Sequence, residues 1–374
     1  MSTQNQRSGK AVKKSVPPVA VVRMVNGLIN ILAKLQRRLL PASSMMLQMA
    51  TDYTIPRALY VVAKLGIADL LTHGPQRPAT LAQATHTNPQ ALYRMLRALA
   101  SVDVFAETND GCIALTPLAA TLRSDVPGSM RDWVLMNGSD WYWRSWGQLE
   151  YSVKTGQPAM DQVFGMPLYT YLEQHPEEAD VFDRAMSNSS DMPTAPVVAA
   201  YDFRSFSTIV DVGGGNGFLL ATILTAHPQL KGILFDLPQV TNRASAVLTA
   251  KGVTARCQIV DGDFFENIPA SGDAYILKSV IHNWDDDHVI QILKNLRRQI
   301  PEHGKLLLVE FVIPPGNDAD FGKLMDLTML TFTTGGYERT EAQFRNLLKT
   351  GGFQLSRTIR TASPLNILEA VPAS

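Results

Sequence analysis

The sequence has only two cysteines in 374 residues, Cys112 and Cys257. Neither their number nor their spacing makes a disulfide framework or a metal site, so a reducing, cytoplasmic setting is expected. Charge of one sign is lacking as well, with 34 Lys plus Arg against 34 Asp plus Glu. That removes both the global basic field that favours nucleic acid and the acidic excess that marks disorder. No stretch reads as the roughly 20 uncharged apolar residues of a spanning helix, and no signal-peptide cleavage pattern appears. Stable membrane insertion is therefore not expected. Acids are missing altogether from the first 51 residues, which carry eight Lys or Arg; Asp52 is the first carboxylate. What the chain does have is apolar material, 45% of it, and enough length for two cores.

Three regions follow from the pattern. Residues 1–44 form a basic extension: a polar tail up to Pro18, expected to be disordered, and then Val21, Val25, Leu28, Leu32, Leu35 and Leu39 at helical spacing, interspersed with Arg23, Lys34, Arg37 and Arg38. Such a helix can lie on a membrane, dock on its own domain or meet a partner subunit. Residues 45–205 read as helical. Ile55–Leu71 is expected as one helix, and Thr80–Ala84 and Pro89–Ala100 flank a turn. Val104–Glu107 and Cys112–Leu115 flank Asn109-Asp110-Gly111 as a hairpin. Together these suggest a winged-helix shape. Gln90, Arg94 and Arg97 are too few for a DNA-reading face, so no nucleic-acid partner is expected. Farther on, Trp133, Trp141, Tyr142, Trp143 and Trp146 gather four of the five tryptophans, either as core or as a flat pocket for an aromatic ligand.

From residue 206 to 374 strands and helices alternate, the mark of a doubly wound sheet. The expected strands are Thr208–Val212, Gly232–Asp236, Cys257–Asp261, Ala274–Lys278 and Lys305–Phe311. The expected helices are Gly217–Thr225, Val240–Ala250, Asp286–Arg298 and Glu341–Leu348. Two last strands, around residues 354–359 and 365–370 with Pro364 between them, read as an antiparallel addition to the edge.

The fold class is thus α/β, a Rossmann-like sheet behind a helical domain, and its centre is Asp211-Val-Gly-Gly-Gly-Asn-Gly217. A strand, a glycine turn and a helix make a nucleotide-type site. A dinucleotide fingerprint wants its glycines at relative positions one, three and six; here Phe218 holds the sixth. Asp211 would oppose a pyrophosphate but could meet the ammonium of an amino acid. S-adenosylmethionine fits better than NAD. Asp236, at the end of the second strand, could accept hydrogen bonds from ribose hydroxyls or cap the turn before Pro238. Asp263 and Phe264 stand where an adenine would lie, or form an ordinary turn.

His282 lies just past the end of the fourth strand, the edge where open α/β sheets bind ligands. Glu310 sits among aliphatics, where an unpaired charge is costly, and Glu338 follows Gly335-Gly336-Tyr337. Either carboxylate could hold one imidazole nitrogen and leave the other to take a proton.

Asp211 to Gly217, Phe235-Asp-Leu-Pro238, Gly262-Asp-Phe264, Leu277-Lys-Ser-Val-Ile-His-Asn-Trp284, Val309-Glu310 and Gly335-Gly-Tyr-Glu-Arg-Thr340 occur in order at fitting intervals. In these motifs the sequence resembles the caffeic-acid, or plant-type, O-methyltransferases and their bacterial relatives in secondary metabolism, over roughly residues 45–370. The resemblance implies a class I S-adenosylmethionine methyltransferase fold and a homodimer intertwined through the helical domain. It implies a cofactor site of Ser190, Asp211, Gly213, Gly215, Asp236, Asp263, Phe264 and Lys278. His282 would act as base beside Glu310 and Glu338, with no metal. Met136, Asn137, Phe182, Met186, Trp284 and Met329 would line the pocket for a small hydroxylated aromatic. Asn283 departs from the commoner aspartate. Two other readings keep the cofactor: a relative that has drifted to hydroxylation or decarboxylation, against which an intact His282 argues, and a winged-helix regulator.

Overall fold

The computed structural model describes residues 16–269 and 272–373, so most of the tail expected to be disordered lies outside the described residues. The chain enters through helices α1 (Val19–Leu39) and α2 (Ala42–Thr51), neither of which buries a residue. By length and composition α1 could cross a membrane, with a mean hydropathy of 1.3 in its best window. This corrects the expectation that no stretch approaches a span: Arg37 and Arg38 cluster at the C-terminal end, leaving an 18-residue window with few charges.

The expected helix over residues 55–71 is two pieces, α3 (Thr54–Lys64) and α4 (Ile67–Leu70). Gly66 separates them at φ 67°, a left-handed turn that favours glycine. Helices α5 (Pro78–Ala84) and α6 (Pro89–Ala100) follow as expected, α6 starting where the Asn88 side chain accepts the Ala91 N–H at 3.0 Å. The hairpin is β1 (Phe105–Glu107) and β2 (Ile113–Leu115), paired antiparallel. These elements close a core of Leu81, Leu92, Leu96, Leu99, Phe105 and Ile113.

The second core is a seven-stranded sheet. Its parallel strands are β3 (Thr208–Val212), β4 (Lys231–Asp236), β5 (Cys257–Asp261), β6 (Ala274–Lys278) and β7 (Lys305–Glu310). Two small strands, β8 (Val312–Ile313) and β9 (Arg339–Thr340), pair separately. The antiparallel β10 (Phe353–Arg360) and β11 (Asn366–Pro372) complete the edge. The order is β10-β11-β7-β6-β3-β4-β5. Strands β3, β4 and β5 run outward one way, and β6 and β7 the other. The order therefore reverses between β3 and β6, and their carboxyl ends open the crevice where such sheets take ligands. Most side chains of β3, β4, β6 and β7 are buried on one face or the other, which is why they read as continuous aliphatic runs; β5, at the sheet edge, is only partly covered.

Two helical details differ from the sequence reading. Val240–Ala250 is broken into Pro238–Thr241 and Ala244–Ala250. A helix not foreseen, Phe321–Phe332, follows β8 and starts at Asp320, whose side chain accepts the Gly322 N–H.

Candidate active site

The glycine turn sits where close packing excludes side chains. Gly213 has φ 67°, and a Cβ there would come within 2.8 Å of Val280 Cγ2. At Gly214 a Cβ would meet Leu234 Cδ1 at 2.4 Å and the Asp211 carboxyl carbon at 2.7 Å. Gly215, by contrast, faces open space within 4 Å, so backbone rather than side chain lines the crevice. The Asp236 carboxylate fixes this turn. Its Oδ2 accepts the Gly215 N–H and its Oδ1 the Leu237 N–H, both at 2.8 Å. Of the two roles foreseen for Asp236, the local cap is the one these bonds perform. Burial pushes its pKa up, against those two hydrogen bonds. At Asp263 the ordinary turn is visible: its Oδ1 accepts the Phe265 N–H at 2.8 Å.

Beside the turn, Lys278 is held by Ser190. Its Nζ donates to the Ser190 carbonyl at 2.7 Å and also contacts Ser190 Oγ. Burial lowers the lysine's pKa, while Asp211, Asp191 and Glu310 pull it back up. Asp211 is 1% exposed, and its Oδ2 has no hydrogen-bond partner. Burial raises its pKa to about 7 even with Lys278 nearby. Asp191, which the sequence reading passed over, has an unpartnered buried Oδ1 and a pKa raised by burial to about 6. Its adjacency to Ser190 was the available signal. A crevice with more carboxylates than cations, and carboxylate oxygens left unpaired, suits a ligand that brings positive charge. These residues fit S-adenosylmethionine.

Four residues past Lys278 stands His282, in a short 3-10 turn Ile281–Asn283. Ser279 makes the corner with φ 55°, a left-handed value for a non-glycine residue and a local strain of order 1–3 kcal/mol. The corner points two backbone N–H groups, of Val280 and Ile281, at Glu310 Oε1, at 3.0 and 2.8 Å. His282 Nδ1 is 2.9 Å from Glu338 Oε1 and 3.7 Å from Glu310 Oε2. Burial opposes a charge on this imidazole, but the two carboxylates together outweigh it and raise its pKa. Burial likewise raises Glu310, to about 7.

The three groups meet the geometric test for a cation site, their ligand atoms lying within 4.8 Å of one another. The resemblance implied no metal here, and the spacing by itself would allow one. The hydrogen bonds just described already engage one oxygen of each carboxylate and one nitrogen of the imidazole.

The support around this group was partly missed. Arg339, 0% exposed, donates to the Ile281 and Trp284 carbonyls and to Asp286, and so clamps the turn that carries His282. It follows Glu338 directly, which was its signal. Gly336 passes so near that a Cβ would meet the His282 carbonyl oxygen at 2.6 Å. Asn283 turns its Nδ2 back to the Ser279 carbonyl at 3.3 Å.

Of the six expected pocket residues, Met136, Phe182 and Met186 join one cluster with Trp133, Trp141, Tyr142, Trp146 and Phe332. Tyr142 stacks on Phe332 at 4.7 Å. Asn137 holds the Trp133 carbonyl at 2.8 Å, and Met329 is buried on the Phe332 helix. Trp284 is placed apart, edge-on to Phe265 at 4.7 Å and to Phe264 at 6.1 Å. Trp143 also leaves the cluster and lies under the Arg57 guanidinium at 4.8 Å.

Comparison with known proteins bears on this arrangement. Residues 146–354 match the O-methyltransferase domain family and residues 47–125 the O-methyltransferase dimerisation domain. The chain is 46% identical to the phenazine O-methyltransferase PhzM of Lysobacter antibioticus, over 89% of this chain and 97% of that one. The crystal structure of LaPhzM superposes with a TM-score of 0.83 at 46% identity, covering 89% of this chain and 100% of that one. The neocarzinostatin O-methyltransferase NcsB1, solved with S-adenosylmethionine and 2-hydroxy-5-methyl naphthoic acid, gives a TM-score of 0.73 at 32% identity, over 87% and 98%.

Proposed function

The chain belongs to the O-methyltransferase family and uses S-adenosylmethionine, and from that premise we propose that it methylates a hydroxyl of a small phenolic or polycyclic aromatic metabolite with His282 as general base. When bound, the cofactor supplies a methyl group made electrophilic by its sulfonium. The protein's part is to place an oxygen in line with that methyl and to take the oxygen's proton. Positioning of this kind can supply on the order of 7–11 kcal/mol.

The observation that carries the reading is the His282 Nδ1 to Glu338 Oε1 contact at 2.9 Å. With Nδ1 donating to a buried carboxylate, Nε2 keeps its lone pair and is free to accept a proton. A phenol has a pKa of about 10 and is a poor nucleophile until deprotonated. Base catalysis by such a group is worth roughly 10²–10⁴-fold. In this reading Asp236 takes the ribose, Asp263 and Phe264 the adenine, and Lys278 with Ser190, Asp211 and the turn of Gly213 and Gly215 the amino-acid end. The cluster of Met136, Phe182 and Met186 is the acceptor's apolar wall, with Asn137 and Met329 at its edge and Trp284 at the cofactor side. The working division of the chain is 1–44 extension, 45–205 helical assembly and lid, and 206–374 cofactor and catalysis. The dimerisation match supports a homodimer, and the proposed setting is the cytoplasm.

The relatives favour fused or substituted rings as first acceptors, a hydroxyphenazine and a hydroxynaphthoate. Methyl-labelled S-adenosylmethionine offered with a panel of these and simple phenols should put the label on an aromatic oxygen, read by mass spectrometry. Label transfer of equal rate in His282→Gln would remove the base from the mechanism.

A further inference from the structure

Helix α1 divides into two faces, and its apolar face is the uncovered one. On a 3.6-residue helix Val21, Met24, Val25, Leu28, Ile29, Ile31, Leu32, Leu35 and Leu39 share one side, and Arg23, Asn26, Asn30, Lys34 and Arg37 the other. Every one of those apolar side chains is 44–74% exposed. The charged side is the tethered one: Lys34 Nζ reaches Asp318 Oδ1 at 2.6 Å, just ahead of the Phe321–Phe332 helix. That helix has its own uncovered stripe at Phe321, Leu324 and Leu327, 49, 62 and 39% exposed. Helix α2 adds Met46, Leu47 and Met49, and Tyr53 follows, all more than half exposed. A run of apolar surface on this scale is not left open to water in a stable soluble protein.

We propose that the apolar face of α1 is a strap that docks on a second copy of this chain, seated on the Phe321-Leu324-Leu327 stripe. Continuity argues for the second copy. Helix α2 runs into residues 47–125, the part matched by the dimerisation domain, and α1 precedes it across only Leu40 and Pro41, so it enlarges an interface the family already has. The seat also has a consequence for the site. Met329 and Phe332 lie on the same helix as the stripe, and Asp326 Oδ1 from that helix accepts the Glu338 N–H at 2.8 Å. A strap on the outer side steadies the acceptor wall and the carboxylate that orients His282.

Two pairs of substitutions test this in the full chain, Leu28→Glu with Leu32→Glu on the strap and Phe321→Glu with Leu324→Glu on the seat. Sedimentation over a dilution series should show each pair weakening the dimer at least about 10-fold, and the four together no more than about either pair, since both break one contact. S-adenosylmethionine affinity by calorimetry should stay at wild type, which separates this contact from the catalytic assignment, and the acceptor KM should rise more than kcat falls. An unchanged dimer constant in either pair overturns the proposal. So does flotation of the wild type with phosphatidylglycerol vesicles that the strap pair abolishes while the dimer constant stands, because the occupant is then a lipid surface.

Discussion

Lys278, half-buried, and His282, buried, are four residues apart beside carboxylates, and the two clusters are held together differently. Around His282 the protein supplies partners for one oxygen of each carboxylate and leaves Glu310 Oε2 and Glu338 Oε2 without a hydrogen bond. Glu310 accepts two backbone N–H groups, Glu338 meets the imidazole at 2.9 Å, and Arg339 ties the turn from beneath. Around Lys278 the lysine is spent on Ser190, and buried oxygens of Asp211 and Asp191 have no partner. A buried carboxylate without a partner costs folding free energy. Both clusters keep buried carboxylate oxygens without a hydrogen bond. On the His282 side an imidazole lies against the carboxylates, whereas Asp211 and Asp191 have no bonded cation among the described residues, and the proposed function gives the first a proton to handle and the second a cationic cofactor. That difference is what mutations can break.

The largest effect is expected from His282→Gln, which removes the proposed proton acceptor and leaves the cofactor side untouched. Turnover should fall by about 10²–10⁴-fold while calorimetric affinity for S-adenosylmethionine stays near wild type. The loss should be greatest for acceptors of high pKa, because a hydroxyl already ionised at neutral pH needs no base. A parallel loss across an acceptor series would leave His282 a positioning role only.

On the other side, Asp236→Ala should weaken the cofactor about 10–100-fold, since a hydrogen bond to a charged group is worth roughly 1.5–3 kcal/mol. The structure sharpens this expectation, because the same carboxylate holds Gly215 and Leu237. Asp236→Asn keeps one acceptor for the turn and should retain part of the affinity. Wild-type affinity in a folded Asp236→Ala would put the residue outside the site.

How far these clusters could be read from sequence follows the same divide. The parallel strands were legible to within a residue, and β3, β4, β6 and β7 show why: their side chains are mostly buried, and a continuous aliphatic run has few alternatives. His282, Glu310 and Glu338 were legible as a group because charge among aliphatics must be paired. Arg339 and Asp191 were not, since each works on backbone or on an empty position that only the folded chain defines. The helix Phe321–Phe332 escaped notice because its outer stripe and its inner wall are both apolar, which blurs the period of a helix. Gly66 split a helix that periodicity alone ran together.

A smaller effect is expected from the orienting carboxylates. Glu338 and Glu310 both raise the His282 pKa, and the base must be neutral to work, so the rate should climb with pH on a limb above the ordinary imidazole value of about 6.5. Glu338→Gln removes one of the raising charges, so the limb should move to lower pH while the plateau drops less than in His282→Gln. Glu310→Gln should act in the same direction, and the double variant should lose less than the product of the two, because both work through one imidazole. A limb that stays in place in both variants would mean that another group controls it.

The smallest effect concerns stability and separates the clusters without any reaction. Asp211 has its pKa raised to about 7 from 3.8 because it is buried, so the folded cofactor-free protein holds that proton more tightly than the unfolded chain. The sign follows from linkage. The group's contribution is complete below the unfolded value near 3.8 and is lost as pH rises through about 7. Asp211→Asn, which cannot ionise, should therefore be more stable than wild type at pH 8, and the gap should close towards pH 4. Each kcal/mol recovered is worth about 2–4 °C or somewhat less in a chain of this size. Glu310 is raised in the same direction, so the variant keeps part of the pH dependence and flattens the curve only partly. Saturating S-adenosylmethionine should reverse the order, because the cation then gains more from the intact carboxylate than folding loses. Melting temperatures of both proteins between pH 4 and 8, with and without cofactor, decide it. Two curves that fall in parallel would show that the buried Asp211 carboxyl does not set the pH dependence of the cofactor-free protein.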